Sequence, residues 1–150
     1  MIECPDCTVQ QQYVLEQLQT VADVKDRTAL AVIMGNIEQE SNFKPNVCEG
    51  GAIVPYDRCL RGGYGLIQWT SIDRYNGLGN YCASRNEDPS TLKCQTAYMI
   101  DEMRFRDDLE AFQTPHQTVP YYMNAAYYWL GWGIHGNRTN YTYSFLNKLQ

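Results

Sequence analysis

Apolar positions recur along the chain at helical spacing. Over residues 8–22, Val14, Leu18 and Val21 repeat at intervals of three and four, and Thr8 stands where a capping oxygen is needed. A polar break at 23–26 follows. Residues 26–40 then carry Leu30, Ile33, Met34 and Ile37 on one face, with Ala29 and Val32 widening it. A helix this apolar belongs at the centre of a core. It must stop by Lys44, because Pro45 disfavours helical backbone in the residue before it. The spacing predicts a third helix over 71–85, weakened by Gly77 and Gly79. A fourth starts with Asp88 as cap and Pro89 at its first position, and runs through Leu92, Met99, Met103 and Leu109 to Phe112. A fifth, over 120–130, is packed with Tyr121, Tyr122, Tyr127, Tyr128 and Trp129 and is broken by Gly131 and Gly136; a last one covers 137–149. Between the second and third helices lies the irregular stretch 46–63, with Pro55, Gly50, Gly51, Gly62, Gly63 and two cysteines. Loops this long in compact domains are usually functional or disordered. A short β hairpin around Ile53 and Val54 fits within it, and residues 64–70 read as a turn or strand lining a cleft. The expectation is one mainly α domain over 1–150, with five to six helices and a small β hairpin or irregular loop beside the site.

Composition narrows the function. Hydrophobic content of 44% and charged content of 19% describe a globular chain. A net charge of −5 argues against a nucleic-acid partner and against non-specific adhesion to an anionic surface. Aromatic residues make up 13% of the chain, mostly 12 Tyr, and their flat faces with a polar edge suit sugar rings as well as a small core. No stretch reaches the roughly 18 apolar residues of a membrane span. The start, residues 1–7, has no basic region followed by an apolar one and does not read as a secretory signal; the expectation is either that a signal was removed or that the protein leaves the cell by another route, such as lysis or packaging in a virion.

The six cysteines favour three disulfides, and local spacing pairs Cys48 with Cys59, Cys82 with Cys94, and Cys4 with Cys7. A loop of about ten residues closed this way contributes roughly 2–3 kcal/mol in the chain-entropy model. Free thiols and a metal site are the alternatives. A zinc site would need four ligands, and only one Cys-x-x-Cys is present. His116 and His135 have no ligand-spaced partners, so no metal and no cofactor are expected.

The strongest candidate for chemistry is Glu40, which closes the most apolar helix beside Ile37 and Phe43. Burial and the negative end of a helix dipole both favour the protonated form of a carboxyl group. A carboxylic acid protonated near neutrality is what glycosidic cleavage needs as general acid. A surface glutamate paired with a cation is the plainer reading. Glu38, two residues away, points to a different face.

Two segments carry a resemblance. Ile33-Met34-Gly35-Asn36-Ile37-x-x-Glu40-Ser41, with Phe43 and Pro45, is followed by Gly63-Tyr64-Gly65-Leu66-Ile67-Gln68-Trp69-Thr70. Together they resemble the lysozyme-like superfamily, with the Glu-Ser pair and Gly-Leu-x-Gln loop of goose-type lysozymes and soluble lytic transglycosylases. The likeness is closer still to the phage tail lysozyme family, whose domains sit on virions and open the cell wall. The resemblance implies an α+β lysozyme-like fold and a peptidoglycan glycan strand as substrate. It also implies Glu40 as the general acid protonating the oxygen between N-acetylmuramic acid and N-acetylglucosamine, and phage tail or virion proteins as possible partners. Tyr64, Gln68 and Trp69 would bind substrate, Gln68 through an N-acetyl or hydroxyl group and Tyr64 or Trp69 by packing on a ring. Asp57 is the first choice for a second carboxylate, with Glu49 and Asp73 as rivals. Goose-type enzymes carry an acidic residue just after the Gly-Leu-x-Gln loop, where this chain has Thr70. A lytic transglycosylase needs no second carboxylate, so hydrolysis and transglycosylation both stay open, as does a wall-binding virion module without catalysis. The run from Tyr127 to Trp132 serves equally as groove wall or core. The triplets at Asn137 and Asn140 match glycosylation acceptors and read as chance.

Overall fold

A computed structural model describes residues 1–60 and 62–150. They form seven α-helices and one 3₁₀ turn: α1 Val9–Thr20, α2 Arg27–Ser41, the turn Tyr56–Arg58, α3 Ile72–Ser84, α4 Leu92–Asp101, α5 Met103–Gln113, α6 Val119–Leu130 and α7 Arg138–Lys148. The chain divides into two compact units, one of residues 1–39 with 100–150 and one of residues 40–99. The divisions fall inside α2 and α4.

The helix starts follow from the sequence. Thr8 caps α1 in a reciprocal box with Gln11. Asp26 Oδ1 accepts from the N–H groups of Thr28 and Ala29 at the head of α2, at 2.9 and 3.0 Å. Ser71 caps α3 and Thr118 caps α6, where Pro120 sits in the first turn. Gly131, in the left-handed region at φ 67°, ends α6, and the Arg104 guanidinium donates to the last carbonyls, of Trp129 and Tyr128.

Two expectations are corrected. The fourth helix is in fact two, α4 and α5, hinged at Glu102, whose backbone is extended. No proline or glycine marks this break. Arg106 stabilises it by donating to the Ile100 carbonyl and to Asp101, satisfying groups that the end of α4 leaves over. The helix also begins at Leu92 rather than Pro89, with the Thr91 hydroxyl accepting from the Cys94 N–H. The hairpin near Ile53 and Val54 is not formed. Among the described residues there is no sheet, only isolated bridges pairing Val47 with Ile53, Cys48 with Tyr64 and Tyr64 with Trp69. Residue 61 of the loop 46–63 lies outside the described residues.

In the first unit, α2 is enclosed on every side: Ala29 through Met34 and Ile37 are all fully buried. Its Gly35 is required by close approach, since a Cβ there would lie 2.7 Å from the backbone nitrogen of Thr142 in α7. Fully buried Asn36 donates to the Val32 carbonyl and accepts from Arg138. Phe105, Phe112 and Trp129 form an aromatic trio with centroids 5.0–6.0 Å apart.

The second unit is small and stapled. Disulfides join Cys48 to Cys59 and Cys82 to Cys94, and a third joins Cys4 to Cys7 in the first unit, the pairs that local spacing favours. Tyr56 stacks on Tyr75 at 4.2 Å, and Tyr64 meets both edge-on. Burial, then the neighbouring Tyr56, Tyr64 and Asp57, push the Tyr75 phenol up to about 12. Burial raises Tyr56 and Tyr64 as well. These hydroxyls are therefore neutral donors near pH 7: Tyr56 to the Tyr75 carbonyl, Tyr75 to the Tyr56 carbonyl and Tyr64 to the Val54 carbonyl.

Candidate active site

Glu40 lies in the last turn of α2 and is half-buried. The helix leaves that turn abruptly. Asn42 and Phe43 both adopt left-handed backbone, at φ 51° and 63°, and the Phe43 ring is buried. Two successive non-glycine residues in that region cost of order 1–3 kcal/mol each and persist only where surroundings enforce them. Here the Lys44 N–H bonds back to the Ser41 carbonyl, and burial of the Phe43 ring offsets the strain.

The glycine loop is a tight double-ended turn. Trp69 N–H donates to Tyr64 O and Tyr64 N–H returns to Trp69 O, while Gln68 N–H closes onto Gly65 O. Gly65 is required twice. Its φ is 77°, and a Cβ would lie 2.5 Å from the side-chain oxygen of Gln95. Leu66, at the tip, is held through both backbone polar groups. Its carbonyl accepts from the Ser41 hydroxyl at 2.7 Å, and its N–H donates to Gln95 Oε1 at 2.9 Å. Ser41 therefore ties the residue next to Glu40 to the loop.

Gln95 escapes the sequence reading. It is fully buried on α4, and its amide also donates to the carbonyls of Pro45 and Pro89. One side chain thus joins the strap after α2, the loop tip and the segment before α4. Local pattern shows only a glutamine in a helix. The signal lies in three distant backbone groups that each need a partner.

The expected substrate residues take distinct positions. Gln68 donates its amide to the carbonyls of Gly65 and Val47, so its side-chain oxygen is the atom left for a ligand. Tyr64 and Trp69 are fully buried, Trp69 against Tyr98 at 5.6 Å, and in this conformation they support the loop from behind. Asp57 sits exposed in the 3₁₀ turn, where Tyr64 and Tyr75 feel its charge. Glu49 is also exposed, with its carboxylate against Gly63, and its N–H donates to the Gly63 carbonyl. Asp73 is in the first turn of α3, exposed. The Thr70 hydroxyl donates to the Gln68 carbonyl. In the first unit, burial raises the Glu38 carboxyl, opposed by the charge of Lys148. Among the described residues no cluster of His, Cys, Asp or Glu has the makings of a metal site.

This set of parts is a helix-terminal glutamate followed by a serine that anchors a Gly-Leu-x-Gln turn, in a mainly helical chain. A family model for phage tail lysozymes matches residues 11–140, and the chain belongs to that family. No curated protein and no solved structure matches it. The protein is thus lysozyme-like and acts on peptidoglycan of the bacterial cell wall. No helix among the described residues is long and apolar enough to cross a membrane.

Proposed function

We propose that the chain is a muramidase that cleaves the β-1,4 bond between N-acetylmuramic acid and N-acetylglucosamine, with Glu40 as general acid. The observation that carries this reading is the Ser41 hydroxyl bonded to the Leu66 carbonyl, which couples the end of α2 to the glycine loop. A general acid works only when its proton is held within hydrogen-bond reach of the leaving oxygen. A helix end braced against a loop that is itself fixed by Gln95 supplies that rigidity. Gln68 accepts an N–H or O–H of the sugar through its free side-chain oxygen. Asp57 is the proposed second carboxylate, with Glu49 its rival. An inverting enzyme places the pair about 6.5–9.5 Å apart and a retaining one about 5–5.5 Å. The setting we propose is phage-encoded wall penetration or lysis, with the domain carried by tail proteins or released when the host lyses.

The exposure of Asp57, Glu49 and Asp73, and Thr70 in place of an acid after the loop, favour a second reading. In it the same Glu40 serves a lytic transglycosylase, and the sugar's own hydroxyl attacks. Mass spectrometry of wall fragments tests both. Hydrolysis leaves reducing N-acetylmuramic acid ends, and transglycosylation leaves anhydro ends. Cleavage at peptide bonds contradicts both and makes the chain a wall peptidase; no fragments from wild type at any pH from about 4 to about 8, the range over which a carboxyl acid would operate, contradicts both and leaves a wall-binding module.

A further inference from the structure

The first unit carries an open groove of about 410 Å³ between α6 and α7, which takes in Tyr127 and Trp132 of the aromatic run that the sequence left open between groove wall and core. Met123 forms its floor, Tyr127, Trp132 and Tyr143 its aromatic sides, and Asn124 and Thr139 its polar edge. No charged side chain lines it. Tyr127 and Tyr143 are each about half exposed, at 45% and 52%. They are large apolar faces held open to water. Trp132 is held in place: the Arg138 guanidinium lies 4.3 Å from its ring centre, and Tyr127 and His135 meet it edge-on at 5.2 and 5.8 Å. A ring fixed before the ligand arrives loses little freedom on binding.

We propose that this groove is a saccharide-binding site, which grips the uncharged sugar rings of the glycan strand. The chemistry selects the ligand. Flat aromatic faces match the apolar face of a pyranose ring, and an amide and a hydroxyl at the edge match its hydroxyl and N-acetyl groups. The lining is uncharged although the chain has 12 basic and 17 acidic residues, so the groove offers nothing to a phosphate or an acidic polymer. Its volume fits one or two sugar units. A chain of net charge −5 gains no electrostatic hold on an anionic wall, and stacking on sugar replaces it. The proposal rests on peptidoglycan as the substrate and not on the role of Glu40.

The three tryptophans make the test direct. Trp69 and Trp129 are fully buried, and Trp132 alone is partly exposed. Iodide quenching of tryptophan emission therefore reports on Trp132. The Glu40→Gln chain is titrated with chitotetraose, so that turnover plays no part and failure here leaves the catalytic reading untouched. The expected result is saturable protection from iodide with a Kd on the order of 1 mM. Tyr127→Ala and Tyr143→Ala should each weaken it roughly tenfold while keeping the native melting transition. Trp132→Phe should remove the optical signal. Binding detected by calorimetry with no protection of Trp132 would overturn the proposal, as would protection that both tyrosine variants retain in full. Protection by a proline-rich peptide and not by chitotetraose would also overturn it, and would assign the groove to a protein partner.

Discussion

At the scale of single residues, the site depends on two polar side chains that touch no substrate in this account. Ser41→Ala strands the Leu66 carbonyl, which should cost about 1–3 kcal/mol of stability. It should also lower kcat more than it raises KM, because the loop shifts against Glu40. Wall-clearing kinetics with urea melts check both. Gln95→Glu is the sharper probe. It keeps the acceptor for the Leu66 N–H but, when ionised, loses both protons that Gln95 gives to Pro45 and Pro89 and sets a carboxylate against two carbonyls. Protonation restores one donor. The variant should therefore be less stable than wild type at pH 7 and recover part of the deficit near pH 4, in melts at both pH values. An equal deficit at both would show that the amide hydrogens are not what holds the loop. Glu40 and Ser41 were legible because a short motif holds them together. Gln95 was not, because its partners are 6, 29 and 50 residues away.

At the scale of elements, α2 carries the site's residues at its C-terminal end and depends on Asp26 at its start. Burial alone would raise the Asp26 carboxyl. Hydrogen bonds from the backbone of His116, Ala29 and Thr28 and with the Tyr122 side chain outweigh it and hold the pKa below the usual value. A depressed carboxylate contributes stability that is present above its unfolded pKa and is lost as pH falls through the folded one. Asp26→Ala should cost about 1 kcal/mol at pH 7, with the gap from wild type closing as pH falls below the ordinary aspartate range. Thermal melts across pH give the result. The loop 46–63 has its own staple in Cys48–Cys59, 11 residues apart. Replacing both cysteines with serine should cost roughly 2–3 kcal/mol. The start of α1 was readable in the sequence because Thr8 caps it by local bonds; the cap of α6 at Thr118 was not read, and the start expected at Asp88 and Pro89 falls at Leu92. The break at Glu102 was not readable, because Arg106 stabilises it across the turn with no helix-breaking residue present. The hairpin failed for a related reason. Among the described residues only two backbone bonds cross it, Cys48 N–H to Ala52 O and Val54 N–H to Asn46 O, around the single Val47–Ile53 bridge, and the Glu49 N–H goes to Gly63 instead.

At the scale of the whole molecule, an acidic chain that works on a wall polymer must bind by contact rather than by long-range attraction. Raising salt from about 0.05 to about 0.2 M shortens the Debye length without weakening ring stacking. Wall-clearing rates should stay level or rise slightly over that range, and a steep fall would show that charge carries the binding. The mainly helical class, the disulfide pairs and the family were all within reach of the sequence, through periodicity, cysteine spacing and the two-part motif. The division into two compact units was not, because its boundaries fall inside α2 and α4, where the apolar pattern continues unbroken.

The central claim is that Glu40 supplies the proton that breaks the glycan. The most direct measurement is the clearing rate of purified walls by wild type and Glu40→Gln side by side, each shown folded by its melting transition. The account predicts a loss of roughly 10²–10⁴-fold for Glu40→Gln, the range for a positioned general acid. A variant that clears walls within a few-fold of wild type would contradict it.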